Sequence, residues 1–206
     1  VVMVLFLPFQ ASAAYAVEIP VTASQTSVVM DISTGQVLVE KEMNQKMSPA
    51  SITKIMTVLL ALENADPATV HTMSYEATHS IDSGSTHIAL TEGEQITLKD
   101  LIYATMVASA NDAANGIAEC VGGSIEQFVA MMNEKAKEIG AVNTHFVNAS
   151  GLPDENHYSC AEDLAKIMRA GLKNARFRKV LETVNYTIPA TNLSAARPMP
   201  VSYTHL

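Results

Sequence analysis

Two short apolar runs separated by a polar, turn-like segment lie in the first fifth of the chain. Residues 27–32 are largely β-branched and apolar, residues 33–36 form a turn-like Ser-Thr-Gly-Gln segment, and apolar positions resume over residues 37–39. This pattern predicts a β-hairpin. Shorter stretches with a similar β-like composition are residues 70–74, 87–90 and 183–188.

The middle of the chain changes to the three-to-four-residue spacing of helices. Thr97 is a candidate N-cap, and Ser124 with Gln127 and Ser159 with Glu162 are candidate capping boxes. The predicted helices cover residues 51–64, 98–108, 111–121, 125–139 and 160–172. A strand pair, a helix-rich middle and a return to β structure predict an α+β fold with a helical insertion and no internal repeat.

The start of the chain carries a different signal. Residues 1–9 are almost wholly apolar but too short to span a bilayer, which takes roughly 20 residues. The small-x-small sites that follow, residues 11–13 and 14–16, are typical of signal-peptidase cleavage. We therefore expect a signal peptide over residues 1–16, an exported mature domain over residues 17–206 and a true N-terminus before Val1. A buried first strand is the alternative.

The composition of the chain argues against a nucleic-acid-binding protein, a disordered protein and a metal site. The 206 residues include 13 Lys or Arg against 21 Asp or Glu, a formal charge of −8, which argues against the basic surface that nucleic-acid binding requires. With 48% hydrophobic and 17% charged residues, the chain is not disordered. Cys120 and Cys160 are more consistent with two separately buried thiols than with a disulfide. Neither they nor the scattered histidines have the spacing of a metal site.

Ser51 and Lys54 form the first candidate for chemistry. The helix predicted over residues 51–64 is apolar around most of its circumference, so a lysine in its first turns is unusual. A spacing of three residues puts Ser51 and Lys54 on one helix face, within reach of each other. A desolvated lysine with a lowered pKa can act as the base for a serine nucleophile. The plainer interpretation makes Ser51 an N-cap and Lys54 a surface residue with a buried aliphatic stem.

A second polar cluster, residues 109–112, separates two largely apolar helices. In an extended connecting loop, Ser109 and Asn111 would point the same way and approach the helix face that carries Ser51 and Lys54. The hydroxyl can then relay a proton, and the carboxamide can bind a substrate amide. Serine and asparagine are also ordinary loop and N-cap residues, so a purely structural interpretation stays open.

Three segments resemble the serine D-alanyl-D-alanine carboxypeptidases, the low-molecular-weight penicillin-binding proteins. They are Pro-Ala-Ser-Ile-Thr-Lys-Ile-Met-Thr over residues 49–57, Ser-Ala-Asn-Asp-Ala over residues 109–113, and Thr-His-Phe-Val-Asn-Ala-Ser-Gly-Leu-Pro over residues 144–153, followed by His-Tyr-Ser over residues 157–159. S-x-x-K and S-x-N are shared by penicillin-recognising enzymes generally. The resemblance extends over residues 27–188 and implies a β-lactamase/DD-peptidase-like α+β fold, an antiparallel sheet with a helical subdomain.

The resemblance implies a role for each of four residues. Ser51 would be the nucleophile that becomes acylated, and Lys54 its general base. Ser109 would relay the proton to the leaving D-alanine, and Asn111 would hold the peptide carbonyl. The backbone amide of Ser51 would form half of an oxyanion hole. The implied substrates are peptidoglycan stem peptides, with β-lactam antibiotics as acylating inhibitors and no cofactor or metal.

The third motif of this family, K-T-G, is absent from the sequence. It carries the second amide of the oxyanion hole and follows S-x-N by roughly a hundred residues, which would place it just past Leu206. We therefore expect residues 17–206 to be a partial catalytic domain that lacks the C-terminal strands of its sheet and is inactive by itself. A missing C-terminal segment would also carry any peripheral membrane attachment.

Two other functions remain open from the sequence. A serine β-lactamase shares S-x-x-K and S-x-N, but residues 154–156, Asp-Glu-Asn, lack the spacing of class A enzymes around their deacylating glutamate. A non-catalytic cell-wall-binding protein would use the same fold as a scaffold. The four intact candidate residues favour an enzyme, and the missing third motif favours the scaffold for this chain.

Overall fold

The computed structural model describes residues 23–200 and has the α+β fold that the sequence predicts. Its strands are β1 Ser27–Met30, β2 Val37–Lys41, β3 Val70–Thr72, β4 Gln95–Thr97, β5 Asn185–Ile188 and β6 Arg197–Pro200. Its helices are α1 Lys54–Asn64, α2 Tyr75–His79, α3 Leu98–Val107, α4 Asn111–Gly122, α5 Ile125–Ile139, α6 Ala161–Leu172 and α7 Ala175–Leu181. A 3-10 turn, Ala50–Thr53, leads directly into α1. The predicted signal peptide lies outside the described residues.

Helix α1 lies at the centre of the described fold. It packs against α3, α4, α5, α6 and α7, so it is surrounded by other helices. Val58 and Leu59 on α1, Leu101 on α3 and Ile117 on α4 are completely buried. Burying such a side chain stabilises the fold by about 1.5–3 kcal/mol, which explains why the apolar α1 occupies this position.

Two of the three predicted N-caps are confirmed. The side chains of Thr97 and Ser124 each accept a hydrogen bond from the backbone N–H three residues later. The capping box at Ser159 is wrong, because α6 begins with Cys160 at its N-cap and without a side-chain cap. The Ser159 hydroxyl is instead hydrogen-bonded to the hydroxyl of Thr144 at 2.8 Å.

The six strands pair as three separate antiparallel ladders, β1 with β2, β3 with β4, and β5 with β6. The predicted hairpin is confirmed as β1 and β2. The strand predicted over residues 87–90 is wrong. The backbone N–H groups of Ile88 and Leu90 donate to the carboxylate of Asp112 instead of to a neighbouring strand. The sequence pattern also missed the short helices α2 and α7 and the strands β4 and β6.

Two further properties of residues 23–200 bear on the expectations from sequence. None of the helices in this range is both long enough and apolar enough to cross a bilayer. Cys120 is half-buried and Cys160 is buried, and both are free thiols. The structure therefore agrees with the prediction of two separate thiols.

Candidate active site

Ser51 and Lys54 meet at the start of the central helix. Ser51 lies in the 3-10 turn that follows Pro49, and Lys54 is the first residue of α1. The Nζ of Lys54 is 3.3 Å from the Oγ of Ser51, a hydrogen-bonding distance. The structure therefore brings together the pair that the three-residue spacing predicts.

The environment of Lys54 lowers its pKa and so raises the fraction of neutral amine. Its side chain is buried, with 2% of the residue exposed. Burial lowers the pKa of Lys54 from 10.5 to about 8, because the charged ammonium loses its hydration. At pH 7 roughly one lysine in ten is then neutral, against about one in three thousand at the ordinary pKa. A neutral amine beside a serine hydroxyl can accept its proton.

Lys54 has a second partner on a distant loop. Its Nζ donates to the backbone carbonyl of Ser150 at 2.6 Å, across 96 positions of sequence. One turn further along α1, the hydroxyl of Thr57 donates to the carbonyl of Ala149 at 2.7 Å. Two successive carbonyls of this loop are therefore hydrogen-bonded to side chains of α1.

The same loop packs against the backbone carbonyl of Ala50, just before Ser51. Gly151 has a φ of +88°, in the left-handed region that glycine occupies without strain. A Cβ at this position would clash with the carbonyl oxygen of Ala50. Ala50 itself has a φ of +48°, which is unfavourable for a residue with a side chain. Close packing by the loop therefore accompanies a strained residue next to the candidate nucleophile.

A buried histidine fixes the far end of the loop. His157 is 1% exposed, and burial lowers its pKa to about 4, so the ring is neutral at physiological pH. Its Nδ1 accepts the backbone N–H of Val147 at 3.1 Å. The Nε2 therefore carries the hydrogen and donates to the hydroxyl of Thr53 at 2.8 Å. Because Thr53 lies between Ser51 and Lys54, this bond ties the loop to the S-x-x-K turn.

Ser109 and Asn111 lie where α3 ends and α4 begins. Ser109 has a left-handed φ of +55°, and Asn111 is the first residue of α4 rather than a loop residue. Both are 6% exposed. The backbone N–H of Asn111 donates to the carbonyl of Thr86 at 2.9 Å. The predicted extended loop is therefore a short turn, braced by the segment before β4.

A cleft of about 410 Å³ opens beside Ser51. It is lined by the 3-10 turn, the start of α1 and the end of α3, through Pro49, Ala50, Ser51, Ile52, Lys54, Ile55, Thr105 and Met106. The Thr105 hydroxyl is buried and has no hydrogen-bond partner among residues 23–200. Ser109 and Asn111 are not among the described residues that line this cleft. No group of three metal-ligating side chains occurs in the described part of the chain.

The sequence does not indicate which groups hold Lys54. The residues missed are Ser150, Gly151, His157 and Thr53. Ser150 acts through its backbone carbonyl, which leaves no side-chain signature in the sequence. The asparagine and glycine of residues 148–151 indicate a turn, but a turn signal does not predict which helix the turn will contact.

Comparisons with known proteins agree on one family. The sequence profile of peptidase S11, described as D-alanyl-D-alanine carboxypeptidase, matches residues 13–195. D-alanyl-D-alanine carboxypeptidase DacF of Bacillus subtilis is 40% identical over 162 residues, which are 78% of this chain and 42% of that protein. D-alanyl-D-alanine carboxypeptidase DacC of Escherichia coli is 33% identical over 174 residues, 81% of this chain and 44% of that protein. The chain thus spans less than half the length of these relatives.

Solved structures show the same likeness in three dimensions. A crystal structure of a D-alanyl-D-alanine carboxypeptidase from Mycobacterium tuberculosis aligns with a TM-score of 0.84 at 30% identity, covering 92% of this chain and 70% of that one. A variant of the Streptomyces K15 DD-transpeptidase aligns with a TM-score of 0.82 at 28% identity, covering 89% of this chain and 75% of that one. The described fold is therefore that of the DD-peptidases.

Proposed function

The chain belongs to the D-alanyl-D-alanine carboxypeptidase family, peptidase S11, and from this premise we propose that the protein acts by acyl transfer to Ser51. Its substrate is the pentapeptide stem of peptidoglycan, from which it removes the terminal D-alanine. The observation that most directly supports this is the buried Lys54, whose Nζ lies 3.3 Å from the Ser51 hydroxyl.

The first step is acylation. The neutral amine of Lys54 takes the proton of the Ser51 hydroxyl as the oxygen attacks the carbonyl carbon between the two D-alanines. The carbonyl oxygen becomes an oxyanion, which backbone N–H groups stabilise, that of Ser51 among them. Collapse of this intermediate breaks the C–N bond and leaves the shortened stem peptide as an ester on Ser51.

The two products leave one after the other. As the C–N bond breaks, the departing nitrogen of D-alanine receives the proton that Lys54 took up, with the Ser109 hydroxyl as the relay. Water then attacks the ester carbonyl and loses a proton to Lys54, which passes a proton to the Ser51 oxygen as the ester C–O bond breaks. Asn111 holds the amide carbonyl of the stem peptide during both steps. Its position at the start of α4 gives it a rigid support.

The cleft beside Ser51 suits this substrate class. Ile52, Ile55 and Met106 give it an apolar wall, and Ser51 and Lys54 supply its reactive polar groups. A mainly apolar pocket with a few fixed polar groups is typical of small-ligand sites. A β-lactam presents a strained amide to the same nucleophile, so we propose that penicillin acylates Ser51 and inhibits the protein.

Where the protein works follows from the same proposal. Peptidoglycan lies outside the cytoplasmic membrane, and the apolar residues 1–9 with the small-x-small sites after them support export by a signal peptide. We propose that the protein acts at the outer face of that membrane and contributes to cell-wall maturation and cell shape. Peripheral attachment to the membrane is part of the proposal.

Labelling with a fluorescent penicillin tests the nucleophile. The full natural-length protein should become covalently labelled, and Ser51→Ala should abolish labelling because no ester can form. Ser124→Ala, at the start of α5 and outside the cleft, is the matched control and should label normally. Labelling that survives in Ser51→Ala would exclude Ser51 as the nucleophile.

A product assay tests the reaction itself. Incubation with a stem pentapeptide should release one equivalent of D-alanine and leave the tetrapeptide. Lys54→Ala should lose this activity while remaining folded, since it removes the base and not the nucleophile. Fast turnover of a chromogenic cephalosporin with no D-alanine release would instead favour the serine β-lactamase. Absence of both reactions and of labelling would favour a non-catalytic cell-wall-binding protein.

A further inference from the structure

One side chain organises the loop that carries the Ser150 carbonyl. The Oδ1 of Asn148 accepts the backbone N–H of Gly151 at 2.7 Å and those of Ser150 and Leu152 at 3.2 Å each. Its Nδ2 donates to the carbonyl of Leu152 at 2.9 Å, which closes the turn from the other side. The backbone of residues 150–152 is therefore folded around a single carboxamide.

The direction of the Ser150 carbonyl matters for the chemistry of Lys54. A neutral amine has two N–H bonds and one lone pair, and it rotates freely about its last C–N bond unless a partner fixes it. An N–H held by the Ser150 carbonyl at 2.6 Å removes this freedom. The lone pair is then available toward the Ser51 hydroxyl, 3.3 Å from the same nitrogen.

We propose that Asn148 is a positioning residue for acylation, which aims the Ser150 carbonyl at Lys54 and so turns the lone pair of the amine toward Ser51. This inference rests on the proposed roles of Ser51 and Lys54. The hydrogen bonds of the Asn148 side chain go to residues 150–152 and not to Ser51 or Lys54, so it acts through the carbonyl of Ser150. An error of about 1 Å in the placement of a reacting group can slow a reaction about a hundredfold, so an indirect role can be large.

The flanks of the loop have anchors of their own. The carbonyl of Ala149 is bonded to Thr57, and the ring of His157 is bonded to Thr53. These bonds do not involve the Asn148 side chain. Its removal therefore loosens the turn between the anchors without detaching the loop from α1. A folded protein with a misplaced Ser150 carbonyl is the expected result.

Loosening the turn also changes the surroundings of Lys54. Burial lowers the pKa of Lys54, and none of the charged side chains in residues 23–200 contributes to that shift. Water that enters between the turn and α1 will hydrate the ammonium and raise its pKa toward the ordinary value of 10.5. Replacing a residue that only stabilised the fold would leave the pKa of Lys54 unchanged.

The test measures the acylation rate constant of the full natural-length protein with a fluorescent penicillin from pH 6 to pH 10. Asn148→Ala should lower the limiting rate at high pH by about tenfold or more and move the midpoint of the pH profile up by about one unit, so that the rate at pH 7 falls by about a hundredfold. Asn148→Asp keeps the acceptor oxygen, so its limiting rate should stay within about threefold of the wild type. Its added negative charge should raise the midpoint as well. Asn156→Ala, at an exposed asparagine of the same loop, should change nothing.

The outcomes separate this proposal from the proposed function. If the wild type is not labelled, the proposed function fails. The titration of Lys54 still decides the positioning role, and ¹³C NMR of the lysine Cε signals can follow it, with Lys54→Met identifying the signal. An unchanged Lys54 titration in folded Asn148→Ala would overturn the proposal, and so would a limiting rate within twofold of the wild type. If Asn148→Ala does not fold, a limiting rate in folded Asn148→Asp that is about tenfold or more below that of the wild type would overturn it, because this variant keeps the acceptor oxygen.

Discussion

Arg197 forms a bidentate ion pair with the carboxylate of Glu94. Its Nη1 lies 2.6 Å from Oε1 and its Nη2 lies 2.9 Å from Oε2, while the carboxylate is completely buried. The hydroxyl of Thr191 donates to Oε1 at 2.8 Å. Burial by itself would raise the pKa of Glu94, but the hydrogen bonds from Arg197 and Thr191 lower it below 4.5. The pair joins β6 to the turn before β4, 103 positions apart.

Removing one partner of this pair should be costly. Arg197→Met leaves Glu94 buried without its cation, and we expect a loss of about 3–5 kcal/mol in the free energy of unfolding. Urea denaturation at pH 7 measures it, with the exposed Arg176→Met as the control. The pKa of Glu94 is depressed in the folded state, so the loss should shrink as the pH falls below 4.5. Equal stabilities of the two variants would contradict the importance of this ion pair.

Acylation should depend on pH through Lys54. Its pKa of about 8 predicts that the rate constant for penicillin acylation rises tenfold per pH unit below about pH 8 and levels off above it. The direction follows from the role, because the base must be unprotonated. Stopped-time labelling across pH 6–10 measures the profile. A rate that is already level at pH 6 would show that a different group accepts the proton.

The stability of the protein should fall in mild acid because of His157. Its folded pKa is about 4 and its unfolded pKa about 6.5, so the unfolded state binds more protons between these values. The free energy of unfolding should therefore decrease from pH 6.5 to pH 4, by an amount on the order of 2 kcal/mol from this residue. His157→Gln cannot titrate but can keep the bond to Thr53. Thermal melts should show a shallower decrease for this variant, and parallel curves would argue against the assignment.

Gly151→Ala and Gly140→Ala separate two effects of a side chain at a left-handed residue. Both glycines have φ near +80°, but a Cβ at residue 140 meets no atom within 4 Å. Gly140→Ala should cost only the conformational penalty, about 1–2 kcal/mol. Gly151→Ala adds a clash with the carbonyl of Ala50, so it should destabilise more and slow the acylation of Ser51. Denaturant melts give the free energy of unfolding of both variants, and penicillin labelling gives their acylation rates. Equal values for the two variants would show that the clash at residue 151 has no effect.

Local sequence spacing predicted the parts of the site that lie within one turn of chain. Ser51 and Lys54 are three residues apart, and the helical period is sufficient to bring their side chains together. The caps at Thr97 and Ser124 were predictable for the same reason, since an N-cap bonds to its own helix. The strand predicted over residues 87–90 is wrong because the carboxylate of Asp112, 22 to 24 positions away, accepts the backbone N–H groups of Ile88 and Leu90.

The loop over Lys54 was not predictable from such rules. Its contact with the lysine is a backbone carbonyl, which every residue possesses, and the contact spans 96 positions. The resemblance to a family draws attention to residues 144–153 as a block but gives no role to Asn148 or Gly151. Their roles depend on which helix the turn packs against, and this is a property of tertiary structure.

The hydrogen bond between Lys54 and Ser150 also has a consequence for the order in which the protein matures. As the chain is made, Ser51 and Lys54 emerge long before residue 150, and an isolated helix end leaves the lysine hydrated and charged. The hydroxyl beside it is then no more reactive than that of any surface serine. The lowered pKa of Lys54 therefore develops only in the folded chain, where segments 96 positions apart meet and burial removes the hydration of the amine.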